Sequence, residues 1–333
     1  MKRELPFSSS LGPVLQRYID LKRALGRKFF NQYQVLHSLD GFLSDPDHSS
    51  PDLTSEAFRR WCYTQQHLAS GMRRSAMRMV YNFCLYRRRT EPDCFVPDPS
   101  FFPLPHQRIR PYIVSESDAA QLLLACAGLR RISTSPLRRE VVHLAIALLY
   151  TTGMRHGELL KLTMSDYDST QGTLLIRESK FHKSRLLPLH PDMVDELNRY
   201  LQLRSTHRLP MSPETPLIWN SIGGGRGYSE RGLGENVRIL LSRCNIRTAQ
   251  GKLPRVHDFR HGFAANALIR WYREGVDVDA KLPFLATYLG HVSISSTYYY
   301  LQFVEPLRAL ASKRFADHYE KMVAPRNLKG GTR

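Results

Sequence analysis

Hydrophobic positions in the first hundred residues recur at the three- and four-residue spacing of amphipathic helices. Four such stretches follow one another, and the second ends at the polar turn formed by residues 44–47. The fourth alternates apolar and basic side chains and ends in three consecutive arginines. This pattern predicts a four-helix module with one basic face over residues 1–91. The side chains that we expect on that face, where a DNA backbone would bind, are Arg73, Arg74, Arg78, Arg87, Arg88 and Arg89.

Proline interrupts the helical pattern after this module. Residues 92–112 contain six prolines, a density that opposes both helix and sheet. We therefore predict a semi-rigid linker over 92–112, between two domains.

The rest of the chain is predicted as one larger domain over residues 113–322, followed by a basic tail over 323–333. Most of its hydrophobic pattern is helical. A strongly apolar helix is expected from Val141 to Tyr150, and it stops where Gly153 permits a sharp turn.

Two short runs in this domain are typical of strands. They cover residues 173–177 and 185–189, and residues 178–184 would form the hairpin turn between them. The expected fold class is therefore mainly α with a small β-sheet, an α+β arrangement.

Composition points to a polyanionic partner. The formal net charge is +18, from 48 lysines and arginines against 30 aspartates and glutamates. Nucleic acid is the natural partner for such an excess, and an anionic membrane surface is the alternative. No apolar run reaches the roughly 20 residues of a membrane span, so we expect no membrane insertion.

Nothing in the chain indicates a cofactor. Its five cysteines are odd in number and scattered, which disfavours a disulfide framework or zinc cluster and favours a cytoplasmic protein. The P-loop pattern for nucleotide phosphates is absent. No cysteine or carboxylate completes a plausible metal set with the histidines, so we predict neither metal nor ATP.

Cationic and nucleophilic residues in the second domain fit the needs of metal-free attack on a phosphodiester. That reaction requires a nucleophile, fixed cations beside the developing charge, and a proton donor for the leaving oxygen. Arginine suits the second role because its planar fork pairs two phosphate oxygens. The candidate residues are Arg155, Lys180, His257, Arg260, His291 and Tyr300.

The order and local context of these six residues resemble the tyrosine recombinase (phage integrase) family. The matching contexts are Thr-Thr-Gly-Met-Arg-His-Gly-Glu, the lysine-rich hairpin turn, His-Asp-Phe-Arg-His, and Leu-Gly-His followed by Tyr300 nine residues after the histidine. The resemblance implies that 1–91 is a helical core-binding domain and 113–322 the catalytic domain. Together the two would clamp duplex DNA.

The resemblance also implies a role for each residue. Two arginines, Arg155 and Arg260, would clamp the scissile phosphate. His257 and His291 would donate hydrogen bonds to its oxygens or help proton transfer, and Lys180 would protonate the leaving 5′ oxygen. Tyr300 would be the nucleophile. Glu158 matches the position that supports the first arginine, and His261 is expected to support the fold.

Some of these assignments have rivals. The family brackets its lysine with glycines, whereas Ser179 and Phe181 stand there in this chain, which leaves Lys183 as an alternative general acid. Tyr298 and Tyr299 adjoin Tyr300. Spacing from the preceding histidine and threonine favours Tyr300, because the family's tyrosine follows them by nine and three residues.

The predicted function is site-specific DNA recombination through a 3′-phosphotyrosyl intermediate, for a transposon or other mobile element. Resolution of replicon dimers by an Xer-like enzyme is one alternative. A type IB topoisomerase-like nicking-closing enzyme and a non-catalytic DNA-binding protein are two others. The expected partners are double-stranded DNA and three further protomers, either identical or from a related recombinase. About a dozen residues precede the first predicted helix, so we expect no separate arm-binding domain.

Overall fold

The computed structural model of the chain describes residues 5–47, 50–104, 110–177, 184–221, 225, 227–291 and 297. Within these ranges the chain is mainly helical and carries one three-stranded sheet, so the predicted fold class is confirmed. The chain divides into two compact units, Met1–Ile109 and Arg110–Arg333. No helix in the described ranges combines the length and apolar character that crossing a bilayer requires.

Four helices build the first unit, as the hydrophobic spacing predicts. They bury a shared core around Leu36, Trp61 and Phe83, each of which has no exposed surface. The side chain of Thr54 caps the third helix by accepting a hydrogen bond from the backbone N–H of Ala57. The helices are α1 (Gly12–Ala24), α2 (Phe30–Ser44), α3 (Ser55–Thr64) and α4 (Ser70–Arg87).

The first half of the proline-rich segment 92–112 packs onto this unit. Phe102 is buried, and its ring centroid lies 6.4 Å from that of Phe58. The ring of Phe95 lies 6.0 Å from that of Phe58. Aromatic side chains therefore give this stretch a place in the first unit's core, which its proline count alone does not predict.

The second unit is arranged around a buried helix, α6. Nine of its 15 residues are buried, so it is covered on most sides. Five other helices of the unit pack against it, namely α5, α7, α8, α9 and α10. The helices of this unit are α5 (Glu116–Ala125), α6 (Arg138–Thr152), α7 (His156–Leu159), α8 (Pro191–Thr206), α9 (Glu230–Arg243), α10 (Val256–Arg273) and α11 (Val278–Leu289).

A small antiparallel sheet joins this unit in the order β1-β2-β3. Strands β2 (Thr173–Ile176) and β3 (Arg185–Pro188) confirm the two predicted strands, and Leu174 pairs with the equally buried Leu187. Strand β1 (Tyr167–Asp168) is two residues long, too short to show an alternating pattern in the sequence.

Candidate active site

Two glycine turns present the site. Helix α6 ends at Gly153 with φ 61°, and helix α11 ends at Gly290 with φ 68°. This left-handed backbone favours glycine because a Cβ atom would be strained there. Arg155 lies two residues past the first turn and His291 directly after the second, so both leave the end of a packed helix in a fixed direction.

Arg155 is the N-cap residue of the short helix α7. Its Nη1 donates to Glu158 Oε1 at 2.5 Å, and its Nη2 donates to the carbonyl oxygen of Gly290 at 3.0 Å. Its backbone N–H donates to Glu158 Oε2 at 3.0 Å. The side chain is still 25% exposed, so the guanidinium is held in place yet accessible to a ligand.

Arg260 is held between the same two turns. It lies on α10 and is only 2% exposed. Its Nη1 donates to the carbonyl oxygen of Gly153 at 3.0 Å, and its Nη2 donates to that of Leu289 at 2.7 Å. One guanidinium therefore bridges the C-terminal ends of α6 and α11, and the two predicted phosphate-clamping arginines come together there.

His291 joins this cluster with an imidazole that is neutral at physiological pH. Burial, together with the positive charges of Arg260 and Arg155, lowers its pKa to about 4. Its Nδ1 lies 2.8 Å from the hydroxyl oxygen of Thr297, a residue with no exposed surface. This contact fixes the imidazole ring. It also places Thr297, which precedes Tyr300 by three residues, beside His291.

His257 lies nearly one turn before Arg260 on α10. Partial burial of its ring and the positive charges of Arg260 and Arg255 lower its pKa, so it too is neutral at physiological pH. Its ring meets that of His261 edge to face, with centroids 4.7 Å apart. His261 is buried, and burial with the neighbouring His257 lowers its pKa to about 4.

The described residues thus bring together four of the six predicted catalytic residues: Arg155, His257, Arg260 and His291. Lys180 and Tyr300 lie outside the described residues, and so do Lys183, Tyr298 and Tyr299. The described part of the site is a cluster of two guanidinium groups held by hydrogen bonds and two imidazoles whose pKa values are lowered. Such a cluster can bind an anion and stabilise charge that develops on it.

A model of the phage integrase family matches residues 114–305. That span is more than half of the chain. The chain belongs to the phage integrase family. As a tyrosine recombinase it cleaves and rejoins DNA at specific sites, which confirms the predicted family and enzyme class.

Two relatives from Sinorhizobium fredii share nearly the whole length of this recombinase. The integrase/recombinase y4rB is 30% identical over 94% of this chain and 99% of its own, and y4rE is 34% identical over 92% and 96%. The fold resembles that of the Tn1549 transposon integrase, solved with transposon right end DNA. The TM-score is 0.59 at 18% identity, covering 91% of this chain and 99% of the other.

Arg185 of the recombinase begins the second predicted strand, 185–189, and no role was predicted for its side chain. The structure places it at the first position of β3, with its side chain 11% exposed and hydrogen-bonded to Glu158. Its position at the start of a short strand carried no signal of that contact, because the two residues are 27 positions apart in the chain.

The first unit of the recombinase carries a basic groove between α1, α2 and α4. Three of the six predicted DNA-contacting arginines line it, namely Arg74, Arg78 and Arg89. Two further cations, Lys22 and Arg27, also line the groove and were not among the predicted contacts. Arg78 and Arg89 are exposed, whereas Arg74 also donates to the carbonyl oxygen of Pro103 at 2.7 Å; the groove also holds Gln32 and Asn82.

The other three arginines lie elsewhere. Arg73 lines a separate hollow with Phe58, and the exposed Arg88 donates to the carbonyl oxygen of Cys94. Arg87 is 4% exposed, and its guanidinium is paired with the carboxylates of Asp52 and Glu91. The expectation that Arg87 faces DNA is therefore wrong, because this arginine is an internal tie between α4 and the segments around it.

Proposed function

We propose that the recombinase cleaves one strand of duplex DNA with Tyr300 and joins it to a second duplex. Attack of the tyrosine oxygen on phosphorus forms a bond to the 3′ phosphate and breaks the bond to the 5′ oxygen. A 5′-hydroxyl from the second duplex then attacks the phosphotyrosyl bond and releases the tyrosine. The covalent intermediate retains the bond energy, so the cycle needs no ATP.

The observation that carries this proposal is the pair of guanidinium groups held at the turns of Gly153 and Gly290. Extra negative charge develops on the non-bridging oxygens in the transition state, and fixed cations aimed at it stabilise it strongly. Arginine has five N–H donors, and the side chain of Arg155 commits two groups, Nη1 and Nη2, to protein acceptors. Its exposed part supports a role as the first phosphate clamp, and Arg260, held at the same two turns, is proposed as the second.

The two histidines complete the phosphate site in this proposal. A neutral imidazole carries one N–H donor, which can bond a non-bridging oxygen. The lowered pKa values of His257 and His291 support that state. Fixed cations and neutral donors together favour the transition state over the bound substrate.

A joining assay tests the proposed function. The purified recombinase is incubated with two duplexes of different length that carry its site, one of them labelled, and with negatively supercoiled plasmid carrying the same site. Strand exchange predicts a labelled product of new length. Relaxed plasmid without any joined product would contradict the proposal and favour a nicking-closing enzyme.

Lys180 is proposed as the general acid, with Lys183 as its rival. We expect Lys180→Met to slow cleavage about 100- to 10,000-fold, the usual contribution of a positioned proton donor. A substrate with sulfur in place of the leaving 5′ oxygen should restore the rate, because a thiolate leaves without a proton. Single-turnover cleavage of both substrates measures this.

The matched variant in that comparison is Lys183→Met. It should cleave the ordinary substrate at nearly the wild-type rate and gain little from the sulfur substrate. The reverse outcome, with the sulfur substrate rescuing only Lys183→Met, would move the general acid to Lys183.

The proposed assembly is a tetramer of identical protomers on two DNA segments, which passes through a four-way junction. Two duplexes each cut on two strands require four active sites, which supports this stoichiometry. A related recombinase could supply half of the protomers.

We further propose that the chain serves a mobile element in the cytoplasm, where its DNA substrate lies. The mobile-element role is supported by the names of the relatives y4rB and y4rE, which are called integrase/recombinases. Resolution of replicon dimers is the alternative role.

The basic groove of the first unit is proposed as the DNA-backbone surface of that unit. Replacing both Arg78 and Arg89 with alanine should weaken DNA binding about tenfold at moderate salt. It should also lower the slope of log affinity against log salt by about 1 for each residue. Fluorescence anisotropy with a labelled duplex at several salt concentrations measures both quantities.

Arg59→Ala is the matched control, because Arg59 is an exposed arginine of the same unit that lies outside the groove. Its affinity and salt slope should match the wild-type values. Equal losses in the control and in the double variant would mean that the groove has no special part in binding.

A further inference from the structure

Arg185 ties together three segments of the catalytic unit. Its Nη2 donates to Glu158 Oε2 at 2.8 Å, and its Nη1 donates to Glu158 Oε1 at 3.2 Å. Its Nε donates to the carbonyl oxygen of Tyr288, near the end of α11, at 2.8 Å. The first residue of β3 is thereby fixed to α7 and to the turn that precedes His291.

Glu158 is saturated by two arginines. A carboxylate offers about four acceptor positions. Here Oε1 accepts from Nη1 of both Arg155 and Arg185, while Oε2 accepts from the backbone N–H of Arg155 and from Nη2 of Arg185. Burial would raise the pKa of Glu158, but the hydrogen bonds from Arg185 and Arg155 outweigh it and lower the pKa to about 2. Without Arg185, half of these bonds are lost and the carboxylate can turn.

Gly290 gives independent evidence that Arg185 is packed into the site. A Cβ atom added there would lie 2.8 Å from Arg185 Nη1, so the guanidinium rests against the glycine itself. The carbonyl oxygen of the same glycine accepts from Arg155. Arg185 therefore touches both partners that hold Arg155, the carboxylate on one side and the glycine turn on the other.

We propose that Arg185 is a positioning residue for strand cleavage, which acts through Glu158 and the Gly290 turn to hold Arg155 in its phosphate-binding orientation. This inference rests on the proposed function of Arg155. Arg185 is less exposed than Arg155, 11% against 25%, and its guanidinium is engaged on both sides. Because Glu158 and the Gly290 turn, which Arg185 contacts, also hold Arg155, the effect of Arg185 on the phosphate is assigned to Arg155.

The inference is tested by a double-mutant cycle on single-turnover cleavage at saturating DNA. Arg185→Met removes the charge and the fork but keeps most of the side-chain volume. Glu158→Gln removes the shared carboxylate charge. Each should lower the cleavage rate about 10- to 100-fold, the usual effect of losing a group that orients a catalytic residue, while DNA affinity stays within about twofold.

The double variant decides how Arg185 acts. If it works through Glu158, the variant carrying both changes should cleave no more than about threefold slower than the slower single variant. Multiplied losses would overturn the inference, because they would mean independent action. A loss confined to DNA affinity would also overturn it, because that is the signature of a direct phosphate contact.

Two further variants separate this role from folding. Arg138→Met is the control, since Arg138 also joins distant segments, donating to Asn236 at 2.7 Å, but at the opposite end of α6. It should cleave at the wild-type rate when folded. Arg185→Lys keeps the charge but lacks the planar guanidinium fork. It should fold and cleave at an intermediate rate, even if circular dichroism shows that Arg185→Met is unfolded. A wild-type rate in Arg185→Lys together with an unfolded Arg185→Met would overturn the inference.

The outcome is distinguishable from failure of the proposed function itself. If wild-type protein forms no covalent adduct with DNA, the proposed function fails. If wild type forms the adduct and Arg185→Met forms it equally fast, only the role of Arg185 fails.

Discussion

We expect Tyr300→Phe to abolish the covalent protein–DNA adduct and to leave DNA binding within about twofold of wild type. The substitution removes one oxygen, the proposed nucleophile, and keeps the ring. Losing a nucleophile typically lowers the rate by on the order of 10⁶-fold, which places the adduct below detection. The measurement uses a labelled duplex with a nick beside the cleavage position, so that a short fragment diffuses away and the adduct accumulates on a denaturing gel.

The neighbouring tyrosines provide the controls. Tyr298→Phe and Tyr299→Phe make the same chemical change one or two residues earlier, and both should still form the adduct. An adduct that persists in Tyr300→Phe and disappears in one of the other two would reassign the nucleophile to that tyrosine.

Arg260→Lys should lower single-turnover cleavage about 1,000-fold, which corresponds to about 4 kcal/mol of transition-state stabilisation. A lysine is a compact charge without a planar fork, so it cannot bond two phosphate oxygens in parallel. It also cannot span the carbonyl oxygens of Gly153 and Leu289, which Arg260 bridges. Leaving one buried carbonyl unsatisfied should cost about 1–3 kcal/mol of folding stability. Cleavage at saturating DNA and urea denaturation measure the two effects.

Arg204→Lys is the matched control for that experiment. Arg204 is also fully buried, and its Nη1 donates to the carbonyl oxygens of Pro216 and Leu217 at 2.9 and 3.1 Å. The control should lose comparable stability yet cleave within about threefold of wild type when folded. Similar cleavage losses in both variants would mean that Arg260 acts only as a structural tie.

The sequence predicted the principal elements of the fold and the neighbourhood of the site. Glycine marks the turn after α6, as predicted, and the His-Asp-Phe-Arg motif keeps His257 and Arg260 three residues apart near the start of α10. These signals are local, since each depends on residues within one turn of each other. The resemblance then supplied roles that spacing alone leaves open.

What the sequence did not reveal depends on contacts between distant segments. The carbonyl partners of Arg260 lie 107 and 29 positions away, and carbonyl groups have no residue identity to read. The role of Arg185 was missed for the same reason. Arg87 was a different error, because Val80 and Phe83 are buried at helical spacing before it and extend the inner stripe to position 87. The three consecutive arginines at positions 87–89 suggested an exposed basic cluster and obscured this helical spacing of buried residues.

Arg260 bridges the ends of two helices. We therefore expect it to be among the last of the predicted catalytic residues to be lost when a copy of the gene accumulates inactivating mutations. A mutation that removes the proposed nucleophilic hydroxyl would silence the reaction, whereas one that removes this guanidinium would also weaken the fold of the second unit. Inactive descendants kept as repressors or decoys at recombination sites should therefore retain an arginine here long after their nucleophile has gone.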